Sequence, residues 1–143
     1  MLAKKAPLAP HVLRFKGRIG EAIVEAILLK FGYSVKRAGY ERGHSAHSPD
    51  LEVTVPKTKE MIPVEVKYTW SVSRTTVQIP VKKLTAYKKD YPGTIVVVAS
   101  AYDAAIYCAR IEDIPFKTTA KPHKTQTLDL FADYWKPLWE MFF

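Results

Sequence analysis

Asp50, Glu65 and Lys67 are the residues of this sequence whose types and spacing suit a chemical reaction. Hard carboxylate oxygens can hold Mg²⁺, with Mn²⁺ as a substitute, and a cation held there polarises a phosphodiester. A lysine beside it supplies positive charge, either to orient the attacking water or to stabilise charge in the transition state. Alternation along extended chain decides whether the three can meet. In 61–68, Ile62, Val64 and Val66 point one way and Glu65 and Lys67 the other, with Pro63 near the strand start. In 51–55, Leu51, Val53 and Val55 form the apolar side, which leaves Asp50 on the parity of Glu52 and Thr54. The turn-like Pro56-Lys57-Thr58-Lys59-Glu60 joins the two runs into a β-hairpin, and a hairpin lets Asp50, Glu65 and Lys67 converge. The bland alternative is a turn-capping Asp50 and a solvated strand face carrying Glu65 and Lys67.

The elements that must position these residues read as mixed α and β. A helix over about 17–31 places Ile19, Ile23, Ile27 and Phe31 on one stripe with Val24 and Leu28 beside it, and Gly32 caps it. It follows a basic N-terminal arm, residues 1–16. A short strand over 33–38 leads into a turn-rich loop ending at Pro49-Asp50. A helix over about 81–91 ends at Pro92-Gly93, and strands follow at 94–99 and 105–110. The stretch 117–126 reads as loop. Leu128, Phe131, Trp135, Leu138 and Phe142 recur at steps of three or four, which predicts an aromatic C-terminal helix over 127–143 with a break at Pro137.

Taken in order, Gly17-Arg18-Ile19-Gly20-Glu21 at the first helix, Gly32-Tyr33-Ser34-Val35-Lys36-Arg37, Pro49-Asp50, Glu65-Val66-Lys67 and the Lys-rich helix ending in Pro92-Gly93 resemble the PD-(D/E)xK nucleases. Within that superfamily the chain is similar to the archaeal-type Holliday junction resolvases over roughly residues 14–111. The resemblance implies an α/β, restriction-endonuclease-like fold with a central mixed five-stranded sheet flanked by helices. It implies a metal held by Asp50, Glu65 and the Val66 carbonyl, with Glu21 joining directly or through water and Glu25, one turn on, as a substitute. It also implies paired nicks in four-way DNA junctions by a homodimer. Family members often carry a Gln near the start of the second helix; here Val81-Lys82-Lys83 stands there, with Gln78 just before. The rivals are another nuclease of the class (restriction, repair or single-strand-acting) and a non-catalytic DNA-binding module on the same fold.

Net charge fits a polyanionic partner. Twenty-two Lys and Arg against fourteen Asp and Glu leave +8, and residues 1–18 carry Lys4, Lys5, Arg14, Lys16 and Arg18 without an acid. Lys16, Arg18, Lys36, Arg37, Arg42, Gln78 and Lys82 are the candidate DNA contacts. His44 and His47 lack companions for a tetrahedral zinc site. Cys108, the single cysteine, sits in an apolar run and reads as a buried hydrophobe. The 143 residues suit one domain, here the nuclease domain 1–143, and their 48% hydrophobic and 25% charged composition is that of a globular protein and not of a disordered chain. No apolar stretch approaches membrane-spanning length, so the expectation is a cytoplasmic protein with no membrane partner and no small-molecule cofactor. The C-terminal aromatics are the expected dimer contact.

Overall fold

Pro10 opens the first helix, α1 (Pro10–Lys30). Proline lacks only an N–H that a first turn leaves unpaired anyway, so it starts this helix instead of breaking it. The helix therefore begins seven residues before the expected 17, and the arm shortens accordingly. A computed structural model of the chain describes residues 10–37, 48–70, 73–117 and 124–142, with side chains from residue 17. At the far end Gly32 has φ +90°, Gly32 N–H donates to the Leu29 carbonyl at 3.0 Å and Tyr33 N–H to that of Leu28 at 3.1 Å. These are the two bonds of a Schellman cap.

The strands are β1 (Ser34–Lys36), β2 (Leu51–Thr54), β3 (Met61–Thr69), β4 (Thr76–Pro80), β5 (Ile95–Ser100), β6 (Ala105–Arg110), β7 (Thr125–Asp129) and β8 (Lys136–Pro137). Helix α2 (Val81–Asp90) follows β4 directly, and α3 (Leu138–Phe142) closes the described chain. The main sheet runs β1-β2-β3-β5-β6-β8. Among the described strands only β3 and β5 pair in parallel, Glu65 opposite Val96 and Lys67 opposite Val98. A parallel pair needs a long crossover, and β4 with α2 supplies it. The expected mixed sheet is thus present, extended by the two-residue β8. The β2–β3 hairpin has Leu51 opposite Val64 and Val53 opposite Ile62.

Both faces of the sheet are covered. On one, Val24 and Leu28 of α1 and Leu138 and Phe142 of α3 pack on Leu51, Val53, Val64, Val66, Ile95, Val97 and Cys108. On the other, Leu84 and Tyr87 of α2 and Val77, Ile79 and Leu128 of the β4–β7 ribbon pack on Val96, Val98 and Ala109. That explains why β5, IVVVAS, is buried at every position.

Two expectations about the helices change. The buried stripe of α1 is Gly20, Val24 and Leu28, rotated from the expected one, so Ile23 (37%) and Phe31 (60%) stay exposed. The rotation follows from Gly20, where a Cβ would stand 2.9 Å from the Tyr68 Cβ. A helix can approach β3 this closely only with glycine facing it. The C-terminal aromatic segment is not one helix. Residues 125–129 pair with β4, and only Leu138–Phe142 is helical, because β4 needs a partner for its backbone groups before the chain can turn back. No described helix is long and apolar enough to cross a membrane.

Candidate active site

The hairpin register places Asp50 next to the end of the β2–β3 ladder, where β2 no longer covers β3. Val66 N–H, left without a strand partner on that side, donates to Asp50 Oδ2 at 2.9 Å. A strand residue exchanges both its N–H and its C=O with the same neighbour. The Val66 carbonyl therefore also faces the Asp50 side, as a metal ligand there requires. Pro63 is tolerated by the same alternation, because its missing N–H faces away from β2 and lies before the first β3–β5 pair, Val64 with Ile95.

Glu65 is 1% exposed. Burial above all, then hydrogen bonding to Asp50 and its charge, push its pKa up to about 8, against the pull of Lys67 and Lys83. Glu21 follows Gly20 of the buried stripe of α1, close enough to Asp50 to feel its charge. Its pKa is pushed up to about 7, first by burial and next by the charge of Asp50, with Arg37 and Arg18 opposing. Its Oε2 is buried without a hydrogen-bond partner. Among the described residues no three side chains form a closed metal cluster; Asp50 instead bears on both Glu21 and Glu65 and raises the pKa of each. Crowded carboxylates, an orphaned buried oxygen and an inward carbonyl are hard donors short of positive charge, which fits a divalent cation such as Mg²⁺.

Two side chains at the site were missed by the sequence reading. Tyr87 of α2, fully buried, donates its hydroxyl to Glu65 Oε2, and the Lys83 ammonium lies 3.8 Å from the same oxygen. Tyr87 occupies a core position of α2 with Val81 and Leu84, so its polar tip was hidden behind a helical periodicity. Lys83 was passed over for Lys82, which is exposed.

The other candidates fall into three groups. Arg18 and Arg37 stand close enough to Glu21 to lower its pKa. Arg37 also pairs with Glu25 at 2.7 Å, which gives Glu25 a partner of its own and makes it a poor substitute for Glu21. Lys36 is exposed on β1 opposite Glu52. Gln78 is exposed in the β4–β7 ribbon opposite Thr127, not at the start of α2. Arg42, His44, His47, Lys4, Lys5 and the side chains of Arg14 and Lys16 lie outside the described residues.

The sequence matches no protein-family profile and no curated protein. Solved structures do match. Hjc, a Holliday junction resolvase from Archaeoglobus fulgidus, superposes with a TM-score of 0.62 at 17% identity, covering 87% of this chain and 93% of its own. The chain has the restriction-endonuclease-like nuclease fold. A bacterial homing endonuclease of the same nuclease fold matches with a TM-score of 0.50 at 17% identity, over 78% of this chain and 82% of its own.

Proposed function

We propose that the chain is a divalent-metal-dependent DNA endonuclease that resolves four-way junctions as a homodimer. The observation that carries this reading is the convergence of Asp50 with Glu65 and Glu21 at the open end of the hairpin on a nuclease fold. The likeness to an archaeal junction resolvase supports the substrate, and the +8 net charge supports a polyanion.

Asp50, Glu65 and the Val66 carbonyl would hold Mg²⁺ or Mn²⁺, with Glu21 beside them. When bound, the cation supplies Lewis-acid polarisation of the scissile phosphodiester. Lys67, on the Glu65 face of β3, brings positive charge to the attacked phosphate. Arg18, Lys36 and Lys82 hold neighbouring phosphates and fix register without reading bases. A two-fold dimer presents two such sites to a two-fold-related junction, so two nicks occur per encounter. The exposed Phe31 and Trp139, beside Ile27, Ile106 and Leu138 in a groove of about 860 Å³, support the subunit contact.

The test is cleavage of matched four-way junction, flap, duplex and single-stranded DNA with Mg²⁺. Symmetric nicking of the junction in preference to the rest is expected, and Asp50→Asn or Glu65→Gln should abolish it while junction binding survives. Equal cutting of linear duplex would favour a nuclease of another substrate. Binding without cutting at saturating Mg²⁺ would favour a non-catalytic module.

A further inference from the structure

We propose that Tyr87 is a positioning residue for Glu65: its buried hydroxyl holds Oε2 against α2 and so presents Oε1 to a cation shared with Asp50. The proposal rests on the nuclease reading above and gives α2, which also brings Lys83 to Glu65, a part in orienting the carboxylate.

The geometry argues for it in three steps. Tyr87 is 0% exposed and heads the fully buried side chains in volume, and a phenol so buried needs a partner for its hydroxyl. That partner is Glu65 Oε2; the Ser48 carbonyl, 3.5 Å away, is too distant to compete for the single proton. The Lys83 ammonium, one turn earlier on α2, bears on the same Oε2. With α2 holding one oxygen, Oε1 remains for a cation. Asp50 is anchored separately by Val66 N–H, so the two carboxylates are oriented by different elements toward one space. Packing alone does not account for the hydroxyl, since a phenylalanine would fill the same volume among Leu84, Val96 and Ile79.

Outer-shell partners of metal ligands typically change metal affinity by about 10- to 100-fold when removed. The experiment uses the whole chain, with Mn²⁺ alone as the probe and free Mn²⁺ read by electron paramagnetic resonance. Tyr87→Phe should raise the Mn²⁺ dissociation constant about tenfold or more. The Mg²⁺ concentration giving half-maximal single-turnover cleavage should rise by the same factor. A Tyr87→Phe chain that binds Mn²⁺ as tightly as wild type overturns the proposal. Because Tyr87 lies in the core, a second measurement needs no variant at that position. The Tyr87 ¹³Cζ resonance of the wild type should move on adding Mg²⁺ and stay still in Asp50→Asn. A resonance unmoved by saturating Mg²⁺ overturns the positioning role whatever the folding of Tyr87→Phe. A wild-type chain that takes up no Mn²⁺ overturns the metal reading itself and this proposal with it, so the two failures are told apart.

Discussion

Burial and the neighbouring Asp50 push the carboxyls of half-buried Glu21 and fully buried Glu65 up from their ordinary value of 4.5 to about 7 and about 8. Between these limits the folded chain holds protons that the unfolded chain has released. Their contribution to stability is therefore complete below about pH 4.5 and is lost as pH rises through 7 to 8. A divalent cation held there, as proposed, would offset the crowded negative charge and displace those protons. The expected result is a metal-free melting temperature that falls from pH 6 to pH 8, with Mg²⁺ raising it more at pH 8 than at pH 6. Equal increments at both pH values in calorimetry would remove the carboxylates from the metal site. Lys67 and Arg18 should separate by kinetics. Lys67→Ala is expected to lower single-turnover cleavage by about 10²- to 10³-fold at nearly unchanged junction affinity. Arg18→Ala should instead weaken binding and flatten its salt dependence, since fewer counterions are released. Loss of affinity with an intact cleavage rate in Lys67→Ala would make Lys67 a phosphate anchor only.

Among the elements, α1 and β3 are held at a distance set by one hydrogen atom. An alanine at position 20 would bring its Cβ to 2.9 Å from that of Tyr68, and a Cβ, unlike the end of a long side chain, cannot swing aside. Gly20→Ala should therefore push α1 away from β3, at about 1–3 kcal/mol of stability, and move Glu21 with it. Urea denaturation reads the first effect and the Mg²⁺ dependence of cleavage the second. Wild-type values of both would mean that the helix tolerates the methyl and that its approach does not position Glu21. The α2 helix has the complementary role, covering the other face and delivering Tyr87 and Lys83 to Glu65.

For the molecule as a whole, the aromatic C-terminus divides into two kinds of residue. Trp135 is buried, and its indole N–H donates to the Asp129 carbonyl at 2.9 Å. It packs into this chain's own core and also lines the surface groove beside Pro137 and Leu138. Trp139, 65% exposed, and Phe31, 60% exposed, line the same groove without being buried. Trp135→Ala should cost about 3–5 kcal/mol in stability. Phe31→Ser with Trp139→Ser should leave the melting temperature close to wild type and shift sedimentation from dimer to monomer. A wild-type chain that sediments as a monomer at micromolar concentration, yet nicks both strands in one encounter, would defeat the dimer.

The hairpin was legible in the sequence because alternation over 51–55 and 61–68 is local, and a two-residue period ties Glu65 and Lys67 to one face without reference to the rest of the chain. Helix α2 and strands β5 and β6 were legible locally as well, α2 from its helical period and β5 and β6 as short apolar runs bounded by turn-forming residues. The start of α1 was misplaced because Pro10 signals a helix start and a chain break alike. Strand β7 was read as loop through Gln126 and as helix from Thr127, because Leu128 is its single fully buried residue; its place depends on pairing with β4, some fifty residues earlier. The rotation of α1 was decided by Gly20 meeting Tyr68, and the burial of Glu65 by α2 crossing over it. Tyr87 and Lys83 joined the site for that reason alone. Periodicity records which side of an element is apolar, whereas the neighbour that covers that side is chosen by contacts distant in sequence, and only the tertiary structure decides them.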